Sequence, residues 1–129
     1  MLLLIADDDR DAAETLAELL QLLVPPPIEI LLAFDGKQAL AAATTSNPTP
    51  DVVIIDIEMP QIDGVNAALG IRTALGSGAP IIIAVTGHVG MTKLAGASGA
   101  FDHTLLKPAS VDELLRLLRR CRQCGEAAR

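Results

Sequence analysis

The 129-residue chain reads as an α/β fold, a single five-stranded parallel sheet with helices on both faces. Three observations predict it. Residues 2–6, 52–55 and 81–85 are strand-length apolar runs without polar alternation, as strands covered on both faces require. Between strand-like stretches lie segments whose apolar residues keep helical spacing, and this alternation gives parallel strands joined by right-handed crossovers. Several of the strands also end in a polar residue, which places chemistry along one edge of the sheet.

The elements follow in order. Residues 2–6 form the first strand, and Asp7, Asp8 and Asp9 follow at once. A helix over residues 10–23 presents Ala13, Leu16, Leu20 and Leu23, with Asp9 or Asp11 as its cap, until Pro25, Pro26 and Pro27 end it. Residues 28–33 are the second strand. Asp35 caps an Ala-rich second helix with Gln38 in the capping-box position, and residues 46–50 are a loop.

The third strand, residues 52–55, runs into Asp56, after which Pro60 and the Asp63-Gly64 pair turn the chain away. A third helix after Gly64 is read with Val65, Ala68, Leu69 and Leu75 inward, and residues 76–80 are a turn. Residues 81–85 are the fourth strand, closed by Thr86. The fourth helix, residues 88–98, contains Gly90 and Gly96 and is expected to be weak and mobile. A short fifth strand lies within residues 101–106 and stops at Lys107-Pro108. Ser110 and Glu113 box the start of a fifth helix with Val111, Leu114, Leu115 and Leu118 inward. One domain over residues 1–120 and a frayed tail over 121–129 complete the reading.

Half of the residues are apolar, ample for a core at this length, yet only two are aromatic, so Leu, Ile, Val and Ala must fill it. The formal net charge of −6 argues against a nucleic-acid surface, which needs clustered Lys and Arg. The arginines over 116–122 read as a solvated helix end. No apolar run is long enough to span a membrane, and residues 1–6 lack the flanks of a signal peptide, so a cytoplasmic location is expected. Cys121 and Cys124 have the spacing of half a zinc site or a redox pair, but no second pair or neighbouring His accompanies them.

The strand ends carry the chemistry. Asp7 and Asp8 follow the first strand, Asp56 the third, Thr86 the fourth and Lys107 the fifth. Three carboxylates in one crevice repel unless a cation neutralises them, and an all-oxygen ligand set suits Mg²⁺. A metal, a lysine and a hydroxyl around one carboxylate are what a transferring phosphoryl group needs, with Asp56 as nucleophile forming an acyl phosphate.

These segments resemble the response-regulator receiver domain, the chemotaxis-regulator-like phosphoacceptor of two-component signalling with a flavodoxin-like (βα)5 fold. The resemblance rests on Ile5-Ala6-Asp7-Asp8-Asp9, the stretch from Asp56 to Gly64, Ala84-Val85-Thr86-Gly87, and Phe101-Asp102 through Leu106-Lys107-Pro108, in order over nearly the whole chain. It implies that Asp56 is the phosphorylated residue. Asp8 and Asp56, with the backbone carbonyl of Glu58, would ligate Mg²⁺ directly, and Asp7 would act through metal-bound water. Thr86 would move its hydroxyl onto the phosphoryl group, Lys107 would pair with it, and Lys107-Pro108 would be cis. The phosphoryl donor would be a phosphohistidine on a histidine kinase or histidine phosphotransfer protein. The output face would be helix four, strand five and helix five, towards an unknown downstream protein or a second copy.

The chain departs from the family pattern at Thr104, where an aromatic switch residue often stands. Glu58, two residues after Asp56, and His88, two after Thr86, flank the path of an attacking water and are expected to tune phosphoryl lifetime. The leading reading is a stand-alone phosphoacceptor that signals by contact, with the receiver of a hybrid histidine kinase as a close variant. Two other classes compete. A docking module that takes no phosphate need not bind Mg²⁺. A haloacid-dehalogenase-like Mg²⁺ phosphohydrolase normally carries Asp where Glu58 stands, and needs room for a substrate cap.

Overall fold

The computed structural model describes residues 1–59, 61–108 and 110–128, with side-chain detail as far as residue 120. The elements are β1 (Leu2–Ala6), α1 (Arg10–Leu23), β2 (Glu29–Ala33), α2 (Gly36–Thr45), β3 (Val52–Asp56), α3 (Gly64–Leu75), β4 (Ile81–Thr86), α4 (Val89–Ser98), β5 (His103–Leu106) and α5 (Val111–Ala128). A single 3₁₀ turn, Gly76–Gly78, joins α3 to β4. All neighbouring strands are parallel, in the order β2-β1-β3-β4-β5, so the predicted fold class is the observed one. β3 lies at the centre, and Asp56 emerges from the middle of the C-terminal edge.

Both faces of the sheet are covered, which is why the strands carry no polar alternation. Leu4, Val53, Ile55 and Ile82 point to a layer under α2 and α3. That layer is lined by small residues, Ala39, Ala43, Ala67 and Ala68, which let the two helices lie close to the sheet and to each other. Leu3, Ile5, Ile54 and Ile83 point the other way, against Leu20 of α1 and Leu114 and Leu118 of α5. The period of two along each strand thus divides the core into two layers.

Caps fix where the helices begin. Asp9 caps α1, its carboxylate accepting from the Ala12 N–H at 3.2 Å, so the alternative at Asp11 falls away. Asp35 accepts from the Gln38 N–H at 2.7 Å. The Gln38 side chain accepts from Phe34, one residue before the cap, at 2.9 Å rather than from the cap residue itself. Ser110 Oγ accepts from the Glu113 N–H at 3.4 Å, a long bond for a box.

Other expectations shift by a residue or a face. β2 starts at Glu29, and β5 is confined to His103–Leu106. Leu23 is exposed, and Val24, which ends α1, is buried in its place because the chain turns inward before the prolines. In α3 the buried residues are Gly64, Ala67, Ala68 and Ile71, whereas Leu69 is exposed. α3 is apolar on nearly all sides, so its phase cannot be read from its spacing. α5 continues to Ala128 through the stretch expected as a tail. Pro60 and the side chains of Cys121, Arg122 and Cys124 lie outside the described residues.

Candidate phosphoacceptor site

The site is assembled by backbone hydrogen bonds that continue the sheet beyond its strands. Asp7 N–H donates to Ala33 O at 3.0 Å, Ile57 N–H to Val85 O at 3.0 Å, and Lys107 N–H to Thr86 O at 2.7 Å. Each strand-end residue therefore leaves the sheet at a fixed height. The start of α3 adds another constraint. Gly64 N–H donates to Ile57 O at 2.8 Å, and a Cβ on Gly64 would collide with the backbone of Asp56 and Ile57. Only glycine lets the helix begin this close to the end of β3.

Within this frame Asp56 is only 6% exposed, and its Oδ2 accepts from Lys107 Nζ at 2.8 Å. The same ammonium lies 3.5 Å from Asp7 Oδ2. Ligand oxygens of Asp7, Asp8 and Asp56 fall within 4.8 Å of one another, Asp8 being exposed and Asp7 half-buried. This all-oxygen set fits a hard divalent cation, with Asp8 open to solvent as an entry side. Burial raises the Asp7 carboxyl above the usual carboxylate range and the Asp56 charge adds to it; the Asp9 N–H and Lys107 oppose the rise. For Lys107, burial pulls the pKa down, but the hydrogen bond and charge of Asp56 and the charge of Asp7 outweigh it, so the pKa is raised. Lys107 thus keeps its proton at neutral pH. The peptide bond from Lys107 to Pro108 is cis, as the resemblance implies.

Thr86, completely buried, stands on the β4 side. Its Oγ1 donates to Glu58 Oε1 at 2.9 Å and accepts from the His88 N–H at 3.2 Å. Glu58 N–H donates in turn to Asp56 Oδ1 at 3.0 Å, and Glu58 Oε2 lies 3.3 Å from His88 Nε2. The structure thus gathers all the sequence-predicted residues into two linked groups, Asp7, Asp8, Asp56 and Lys107 on one side and Thr86 with Glu58 on the other. The role of the Glu58 side chain as partner of Thr86 was not visible in the sequence. Its signal lay in the matched spacing of Glu58 after Asp56 and His88 after Thr86 on adjacent strands. A second unforeseen contact is the guanidinium of Arg10 stacked 3.9 Å from the centre of the Phe34 ring at the same edge of the sheet. A cleft of about 540 Å³ runs from Asp56 and Lys107 down between α1 and α5, floored by Ile54, Leu16 and Leu114.

A central strand-end carboxylate with a lysine partner, an acidic pair on the neighbouring strand and a hydroxyl on the other neighbour define an α/β domain with an acidic site at the C-terminal edge of its sheet. The response regulator receiver domain family matches residues 3–119, and the chain belongs to that family. The transcriptional regulatory protein PrrA of Mycobacterium tuberculosis is 33% identical over 112 residues, which are 87% of this chain and 46% of PrrA. The chain spans about half the length of the curated relatives it matches. Among solved structures, the response regulator TrrA of Thermotoga maritima, in complex with Mg²⁺ and BeF, is 30% identical with a TM-score of 0.79, covering 93% of this chain and 97% of that one. The receiver domain of the sensor histidine kinase PA1611 of Pseudomonas aeruginosa, with magnesium coordinated in its active-site cleft, is 26% identical with a TM-score of 0.79. It covers 92% of this chain and 94% of that one. Among the described residues no helix is long and apolar enough to cross a membrane.

Proposed function

We propose that Asp56 accepts a phosphoryl group from a phosphohistidine of a histidine kinase or histidine phosphotransfer protein, and that the phosphorylated domain signals by protein contact in the cytoplasm. The observation that carries this reading is the 2.8 Å contact of Lys107 with Asp56 inside an otherwise acidic crevice. A carboxylate oxygen of Asp56 attacks phosphorus, the P–N bond to the histidine breaks, and the imidazole leaves with the electron pair. The product is an acyl phosphate. Lys107, already beside the attacking carboxylate, balances charge on the phosphoryl oxygens, and Thr86 offers them its hydroxyl proton.

Mg²⁺ would be held by Asp8, Asp56 and the Glu58 carbonyl directly and by Asp7 through water, and it supplies charge neutralisation for the transferring group. Support comes from the all-oxygen cluster and from the magnesium in the structures of TrrA and the PA1611 receiver domain. Val89 and Leu94 of α4 and Leu106 of β5 are exposed apolar side chains on the face assigned to a downstream protein or a second copy. The acidic balance gives no basis for nucleic-acid binding by this domain.

The test is intact mass after mixing with Mg²⁺ and acetyl phosphate. The expected gain is about 80 Da, dependent on Mg²⁺, labile in alkali and absent from the folded Asp56→Asn protein. A gain that persists on Asp56→Asn would overturn the assignment of the nucleophile. No gain on the parent, with rapid quenching, would leave a docking module.

A further inference from the structure

The Thr86 hydroxyl has a single proton to donate, and in the structure it donates to Glu58 Oε1 at 2.9 Å. It cannot donate to a phosphoryl oxygen on Asp56 at the same time. We propose that the Glu58 side chain is a latch: it holds Thr86 in the unphosphorylated arrangement and competes with the phosphoryl group for that proton. The proposal rests on the reading of Asp56 as phosphoacceptor. Glu58 acts through Thr86 and is a positioning residue.

The surroundings make the latch both effective and releasable. Thr86 is fully buried, so its hydroxyl proton needs a partner, and a charged acceptor makes the stronger bond. The Glu58 side chain is 43% exposed, so water replaces the hydroxyl on the carboxylate when Thr86 turns away. A buried carboxylate in this place would be left unsatisfied and would lock the switch. Glu58 is also aimed from both ends. Its backbone N–H donates to Asp56 Oδ1, and its second oxygen faces His88 Nε2. The hydroxyl oxygen also accepts from the His88 N–H at 3.2 Å, a long contact that Thr86 gives up together with the Glu58 bond when it changes rotamer. Binding that needs the turned hydroxyl is weakened by the fraction of molecules in which it is turned.

Two readouts test the latch on the full chain. In the metal-free protein, three-bond couplings to the Thr86 methyl carbon report its χ1 rotamer. Glu58→Ala is expected to average these couplings between rotamers, whereas Glu58→Gln, which keeps an oxygen acceptor, is expected to retain the parent values. With Mg²⁺ and acetyl phosphate, Glu58→Ala is expected to take phosphate roughly tenfold faster than the parent, with Glu58→Gln closer to the parent. Parent-like couplings in Glu58→Ala would sink the latch. Equal acceleration by both variants would also sink it, because the effect would then be that of the lost charge. If the parent takes no phosphate while the couplings respond as expected, the hold on Thr86 stands and the phosphoacceptor reading falls.

Discussion

The two helices that flank β3 and β4 at the functional edge are built to opposite standards. α3 is capped by Asp63, whose carboxylate accepts from the Asn66 N–H at 2.8 Å. It buries Ala67, Ala68 and Ile71, and it is pinned at its far end by Arg72, which donates to Ala100 O at 2.6 Å and pairs with Asp102 at 2.8 Å. α4 has no side-chain cap, buries only Ala95, and exposes Val89 and Leu94. Its Gly90 and Gly96 lower helix propensity further. The well-anchored helix follows Asp56, the proposed nucleophile, and the sparsely anchored one follows Thr86, whose hydroxyl is proposed to move. A phosphoacceptor needs its attacking carboxylate held still, because misplacement costs rate. A switch needs an element whose alternative arrangement is only slightly less stable. The two requirements are met by different helices of one sheet.

The sharpest way to break this contrast is to disturb the rigid side. Gly64→Ala places a Cβ against the backbone of Asp56 and Ile57, which cannot give way as a side chain can. Overpacking of this kind is expected to cost about 3 kcal/mol, read as a lower urea midpoint at unchanged slope. Phosphate uptake by the remaining folded protein should fall as well, because Asp56 must shift to make room. A melt within error of the parent would show that α3 is free to slide, and the contrast with α4 would dissolve.

The loose side should respond with the opposite sign. A Cβ on Gly96 meets nothing within 4 Å, and the residue lies inside α4. Gly96→Ala is therefore expected to stabilise the helix by up to about 1 kcal/mol, seen as slower amide hydrogen exchange across α4 with α3 unchanged. If exchange in α4 already matches that of α3 in the parent, the helix is not the pliable one.

Much of this architecture was legible because it is local. Strand-length apolar runs, caps such as Asp35 and the acidic strand ends are properties of a few consecutive residues, and they placed Asp7, Asp8, Asp56, Thr86 and Lys107 on one edge. The glycines of α4 were equally readable, and the helix has no side-chain cap and buries only Ala95. What escaped depends on distance along the chain. Glu58 and Thr86 are brought together by the β3–β4 register, in which Asp56 sits opposite Val85. Leu69 was read inward because α3 is apolar on almost every side, and only the neighbouring α2 and sheet select Ala67 and Ile71. Leu23 was read as buried because helical spacing says nothing of where the chain leaves the helix.

The rigid flank also tolerates a cost that a flexible one would relax away, and Asp7 measures it. Burial raises its pKa above the unfolded value, with the Asp56 charge adding to the rise. A carboxyl with a raised folded-state pKa contributes stability below its unfolded pKa, and that contribution is lost as pH rises through the folded value. At neutral pH the ionised Asp7 is therefore a net burden on the metal-free fold. Asp7→Asn is expected to raise the melting temperature at pH 7 in the presence of a chelator. The gain should vanish in acid, below the unfolded carboxylate value near 4. The effect should be the smallest of the three, because the Asp9 N–H and Lys107 offset part of the burial. Mg²⁺ should stabilise the parent more than Asp7→Asn, since the variant has one charge fewer to attract it. A lower melting temperature for Asp7→Asn at pH 7 would mean that the bonds to Asp9 and Lys107 outweigh the repulsion, and that the acidic edge is held by its own contacts rather than by the scaffold around β3.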